Sequence, residues 1–167
     1  MVETSDDRDP IALARRNWED AGWGGATAVG MEAVTSVMRA HQILLARIEA
    51  ALKPFQLSFS RFELLRLLAF TRQGELPISK ASTRLQVHVS SVTHAIDRLG
   101  EAGLVERRPH PTDGRTTLVA ITEEGRELVE EATLVLNDVF ADLGMPDDES
   151  ADLVGAIRSL RRFHGDF

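Results

Sequence analysis

A change of period near residue 103 limits the folds open to this sequence. From about Asp9 to Ala102 the apolar residues recur mostly at three and four, as on one face of a helix. Between Gly103 and Thr122 that spacing stops. Leu104–Arg108 and Thr116–Ile121 read as β-strands, and Pro109-His-Pro-Thr-Asp-Gly114 between them carries the Asp-Gly signal of a hairpin turn. Helical spacing then resumes and runs almost to the last residue. The expected fold is mainly α with a small β-hairpin.

The helices can be bounded from their punctuation. Asp9-Pro10 reads as an N-cap followed by proline at the first helical position, and Ile11, Ala14 and Trp18 follow at helical spacing. After a glycine-rich break at Gly22–Gly25, a long helix runs from about Thr27 to Leu52 with Met31, Val34, Val37, Met38, Leu44, Leu45, Ile48 and Leu52 on its stripe, and Pro54 ends it. Ser60-Arg-Phe-Glu63 has the form of a capping box and predicts a helix from Arg61 to Phe70. Gly74 and Pro77 mark a turn, Ile78–Gln86 a short helix, and Val89–Ala102 a further helix stopped by Gly103. Thr122 is an N-cap candidate with Glu123 and Glu124 in the first turn, for a helix reaching about Leu143; a last helix spans Asp148–Phe163.

Composition closes several routes. The 167 residues include no cysteine, which removes disulfides and thiolate chemistry, and no run of 18 apolar residues, which removes a membrane-spanning helix. The acidic start has no apolar core of a secretory signal, so a cytoplasmic protein is expected. The five histidines (41, 88, 94, 110 and 164) are scattered, so no metal, no other cofactor and no catalytic site is expected; the phosphate- and nucleophile-binding glycine motifs are also missing. The net charge is −7, yet residues 78–118 hold six basic groups against four acids. An acidic body with one locally basic segment suits local contact with DNA.

Helix, short helix, turn, helix and β-hairpin in that order make a winged helix-turn-helix, in which the second helix of the pair enters the major groove and the hairpin reaches the backbone or the minor groove. If Val92, Ile96 and Leu99 face the core, then Ser90, Ser91, Thr93, His94, Asp97 and Arg98 face outward. Hydroxyls and a histidine can hydrogen-bond base edges and phosphates, and they are unusual on a merely solvated helix, where Glu, Lys and Gln prevail. His88, Lys80 and Arg84 flank this face, and Arg107 and Arg108 can reach phosphates from the first strand. Arg115, just past the Asp113-Gly114 turn, is placed to enter a narrow minor groove, with Asp113 near enough to pair with its guanidinium. The alternative for this tip is a solvated turn with one weak surface ion pair.

Three linked stretches resemble the MarR family: Leu99-Gly-Glu-Ala-Gly103-Leu-Val-Glu-Arg107, then Asp113-Gly-Arg115, then Leu118-Val-Ala-Ile-Thr122-Glu-Glu-Gly125. The likeness in helix order extends from about Thr27 to Phe163. It implies that Arg115 reads the minor groove, that Asp113 supports it, and that the long terminal helices form a homodimer. Two features depart from the pattern. His88 stands where Ser, Thr or Asp usually caps the recognition helix, and an added N-terminal helix carries Trp18, as in some members, urate-responsive ones among them.

The resulting expectation has four parts. Residues 1–26 form an N-terminal extension, 27–55 and 122–167 a helical dimerisation region, and 56–121 the DNA-binding lobe. Its function is that of a sequence-specific repressor of MarR type on a pseudo-palindromic duplex operator, released by a small aromatic or anionic effector. Trp18, Met38, Arg39, His41, Phe62 and Arg66 are the candidates for lining an effector crevice, each with a rival role as core or surface. The other reading is a helical dimer that serves as a protein-interaction module and does not bind DNA.

Overall fold

The computed structural model describes residues 8–167, so the first seven residues of the expected 1–26 extension lie outside the described residues. Among the described residues, seven α-helices and three short strands follow in order: α1 Pro10–Asp20, α2 Ala26–Leu52, α3 Phe59–Ala69, β1 Glu75–Pro77, α4 Ile78–Leu85, α5 Val89–Glu101, β2 Val105–Pro109, β3 Thr117–Ile121, α6 Glu123–Ala141 and α7 Asp147–Phe163, with a 3-10 turn at Lys53–Phe55 after α2. Among the described residues no helix is long and apolar enough to cross a membrane. One compact unit ends at Ala50 and a second runs from Ala51 to Phe167.

In the first unit, Asp9 caps α1 by accepting from the Ile11 N–H at 2.9 Å, as its place before Pro10 predicts. Arg15 ties α1 to α2, donating to Glu19 at 3.1 Å and to Glu32 at 2.6 Å. Trp18 and Trp23 meet at 5.0 Å between ring centroids, and the Trp18 indole N–H is buried without a partner. Apolar side chains of α2, among them Val34, Val37, Met38 and Ile43, stand exposed.

The second unit holds the main core. Leu52, Leu64, Leu65 and Leu68 are fully buried with Ile96 and Leu99 of α5, Val119 of β3 and Val129 and Leu136 of α6. Each such side chain contributes about 1.5–3 kcal/mol by leaving water. The strands form one antiparallel sheet in the order β1-β3-β2, with Glu75 opposite Ala120 and Val105 opposite Ile121. This is a winged helix-turn-helix with a third strand. Where the sequence predicts only a turn between Gly74 and Pro77, the chain turns at Gly74 (φ 72°) and then pairs with β3, the Gly74 carbonyl accepting from the Ile121 N–H at 2.9 Å. A three-residue strand is too short to show a period of its own.

The start of α3 also differs from expectation. The N-cap is Ser58, without a side-chain capping bond, and Ser60 lies inside the first turn, so Ser60–Glu63 is not a capping box. Phe59 stacks on buried Phe62 at 6.5 Å, which sets the helix start two residues earlier. Thr122 does cap α6. Its hydroxyl accepts from the Gly125 N–H at 3.0 Å and donates to the Gly103 carbonyl at 2.8 Å, which fastens the base of the hairpin to the helix. Gly125 is obligatory there: a Cβ would lie 2.1 Å from the Leu104 carbonyl oxygen.

Candidate nucleic-acid interface

Two turns aim α5. Ser82 of α4 donates to the Val87 carbonyl at 2.7 Å, and Gln86 takes a left-handed φ of 55°, so the chain reverses between α4 and α5. His88 then caps α5 with Nδ1, which accepts from the Ser90 N–H at 3.2 Å and lies 2.7 Å from the Ser90 hydroxyl. The cap is thus an imidazole, in the tautomer that leaves Nδ1 bare. Val92, Ala95, Ile96 and Leu99 are buried, and Ser90, Ser91, His94, Asp97 and Arg98 are exposed on the opposite face. Thr93 is half-buried and its hydroxyl donates back to the Val89 carbonyl at 2.9 Å. Lys80 and Arg84 are exposed on α4.

The basic residues of the hairpin are not equivalent. Arg107 reaches Asp97 of α5 at 2.7 Å, while Arg108 pairs with Glu106 and reaches Glu75 of β1 at 3.5 Å. Arg98 pairs with Glu101 at 3.0 Å. Exposed pairs of this kind are worth about 0–1 kcal/mol, so a phosphate can displace the acid at small cost. Arg115 is exposed at the hairpin tip with no acidic partner among the described residues.

Asp113 acts differently from the expected guanidinium pairing. Its Oδ2 accepts from the Thr116 hydroxyl at 2.7 Å and its Oδ1 from the Arg115 backbone N–H at 3.0 Å. These bonds, the Thr116 one first, hold its carboxyl below the usual range. The aspartate therefore shapes the turn that carries Arg115 and leaves the guanidinium free.

Of the candidates for an effector crevice, Trp18, Met38, Arg39 and His41 belong to the first unit and Phe62 and Arg66 to the second. Met38 and His41 are exposed, and so is Arg39, which donates to Gln42 at 3.2 Å. Phe62 is a core residue. Arg66 fastens α3 to α6: it donates to Glu130 at 3.0 Å and to the Val129 carbonyl at 2.9 Å, and its guanidinium lies 5.0 Å from the Phe70 ring.

Sequence reasoning missed what lies beside α5. A cleft of about 380 Å³ between the start of α3 and α5 is lined by Ser58, Ser60, Arg61, Ser91, His94, Ala95 and Arg98. The Ser58-x-Ser-Arg61 run was the available signal, but reading Ser60 as a cap absorbed it. Between the C-terminal half of α5 and β2 a second cleft, of about 530 Å³, is lined by Ile96, Asp97, Gly100, Glu101, Val105, Glu106 and Arg107.

The MarR family model matches residues 57–117, from the approach to α3 through the hairpin. Sco5413, a MarR family transcriptional regulator from Streptomyces coelicolor, is 46% identical in sequence with a TM-score of 0.76, and the match covers 86% of this chain and 99% of that one. The chain belongs to the MarR family. IacR, an HTH-type transcriptional repressor from Pseudomonas putida, is 35% identical over 102 residues, 61% of this chain and 60% of its own length. The chain thus spans about half to three fifths of the first curated relatives it matches. CouR from Rhodococcus jostii RHA1, solved bound to p-coumaroyl-CoA, is 25% identical with a TM-score of 0.64, over 79% of this chain and 90% of that one.

Proposed function

We propose that this MarR family chain is a sequence-specific DNA-binding transcriptional regulator, a repressor that binds a pseudo-palindromic operator as a homodimer. The observation that carries this reading is the exposed face of α5. Ser90, Ser91, His94 and Arg98 stand together on a helix capped at its start and packed by four apolar residues behind, with the unpaired Arg115 on the hairpin beyond. Serine and histidine donors suit base edges, and the cations suit the backbone. Binding, and no catalysis, is the task.

Residues 56–121 serve as the reading lobe, 27–55 and 122–167 as the dimerisation region, and 1–26 as an extension. Unpartnered apolar side chains support the division: Val34 and Val37 on α2, Leu134 and Phe140 on α6, and Leu153, Val154 and Leu160 on α7 are all exposed in a single chain, which a two-fold partner would cover. A small aromatic or anionic effector releases the operator by binding better to the state that fits DNA worse; a bound aromatic acyl-CoA in CouR favours that class.

Selection of duplexes from genomic fragments tests the function. The expected result is an inverted-repeat motif bound on the order of a thousandfold more tightly than scrambled DNA. Recovery of no enriched sequence would leave the protein-interaction module as the better account.

A further inference from the structure

We propose that the cleft between the start of α3 and α5 holds one backbone phosphate of the bound duplex, gripped by Arg61 and Arg98 with the hydroxyls of Ser58, Ser60 and Ser91. The proposal rests on α5 being the DNA-reading helix, and it extends the interface to three residues of α3 and its cap that sequence spacing does not bring to it.

The lining sets the charge of the occupant. Two arginines, a histidine and three serines surround the cleft, and none of its seven lining residues is an acid. Arg61 Nε donates to the Ser58 hydroxyl at 3.1 Å, and that hydroxyl lies 3.2 Å from the Ser60 hydroxyl. This chain orients the guanidinium while leaving its four terminal N–H donors for a ligand, a fork that matches phosphate oxygens. Arg98 is turned to Glu101, but both side chains are more than half exposed, at 57% and 66%, so its pair is weak and exchangeable.

The other flank of α5 decides the direction. There the second cleft presents three acids, Asp97, Glu101 and Glu106, against one cation, Arg107. A polyanion running beside α5 is therefore attracted on the α3 side and repelled on the β2 side of its C-terminal half. A helix in the major groove has a phosphate backbone on either side; this asymmetry assigns the nearer one to the α3 flank.

The same geometry favours a phosphate of DNA over a free anion. The cleft opens beside the exposed Ser91 and His94, and its donors stay within reach of water. A lone anion there bears its full cost of immobilisation, whereas a phosphate already positioned by the rest of the duplex does not.

The test uses the full chain, its selected operator and a scrambled duplex. Arg61→Gln is expected to reduce the slope of log affinity against log salt by about 0.9 per protomer, on both duplexes alike. A neutral methylphosphonate placed at one position per half-site should weaken the wild type and leave Arg61→Gln indifferent. Arg61→Lys keeps the charge but not the fork, so it should keep the wild-type slope with weaker affinity on both duplexes, and it also covers the case in which the glutamine variant fails to fold. An unchanged slope for Arg61→Gln, with the wild type still binding steeply, overturns the phosphate site and leaves the regulator reading standing. Failure of the wild type to bind any duplex overturns both. Calorimetric titration with inorganic phosphate that shows binding undiminished by saturating operator overturns the assignment to DNA.

Discussion

Asp113 holds Arg115 by the backbone: its Oδ1 accepts from the Arg115 N–H at 3.0 Å while Oδ2 accepts from the Thr116 hydroxyl at 2.7 Å. The tip residue is thus presented by a hydrogen-bonded turn with its charge unspent. Arg115→Ala is expected to weaken operator and scrambled DNA together, with the larger loss where A·T pairs narrow the minor groove. Asp113→Ala should give a smaller loss of the same kind, through a loosened turn. Because the carboxyl is depressed in the fold, its support is fully present above about pH 3.9 and is lost only as pH falls through its lower folded value. Binding titrations of both variants at three salt concentrations check this; operator affinity at wild-type level for Arg115→Ala would remove the hairpin from the interface.

The imidazole cap of α5 is replaceable by a better one. His88→Ser keeps an acceptor for the Ser90 N–H and adds the stronger cap propensity, so it should stabilise the fold by about 0.5–1 kcal/mol. In a chain of this size that raises Tm by roughly 1–4 °C. His88→Ala should lower it. Calorimetry reads both, and equal Tm values for the serine and alanine variants would mean that the cap bond contributes nothing.

Gly125 has no room for a methyl group. A Cβ there would approach the Leu104 carbonyl oxygen to 2.1 Å and Ile121 to 3.0 Å, so Gly125→Ala must push the hairpin base away from α6. The cost should lie near the top of the roughly 1–3 kcal/mol range for overpacking, a fall in Tm of roughly 6–12 °C. Gly100→Ala in α5 is the contrast: its Cβ would make only an ordinary contact at 3.8 Å, and the better helix former should leave Tm unchanged or raise it.

Charges placed on the exposed apolar faces test the dimer. Leu134 and Leu160 are 69% and 49% exposed in one chain, so Leu134→Glu or Leu160→Glu should spare the fold. Each should raise the dimer dissociation constant by at least about tenfold, 1.4 kcal/mol. Sedimentation velocity across a concentration series measures it; unchanged dimers for both would place the interface elsewhere.

Glu63 sits half-buried beside the α3–α5 cleft, and burial pushes its carboxyl above the usual range. A raised acid lets the fold keep its full stability below the unfolded value of about 4.3 and costs stability as pH rises past it. Glu63→Gln should therefore raise Tm at pH 7 and give no gain near pH 4. Melting curves of the two proteins across that interval decide it, and a gain independent of pH would assign the effect to something other than ionisation.

Local signals account for much of this protein. The period-3.6 stripes, the Asp9-Pro10 start, the Thr122 cap, the Asp113-Gly114 turn and the buried Val92, Ile96 and Leu99 are each legible from neighbours within a few residues, so the sequence alone determined the helices, the hairpin and which face of α5 is exposed. Contacts between distant segments decided the rest. β1 exists because Leu76 finds Val119, 43 positions later. Arg107 is committed to Asp97 and Arg66 to Glu130 by helix and strand packing that no spacing rule encodes. The acid-free cleft joins Ser58 and Arg61 to Arg98 across more than thirty residues. One-dimensional patterns specify which face of an element is apolar; which polar groups meet on the other face depends on where the elements come to lie, and only the tertiary structure fixes that.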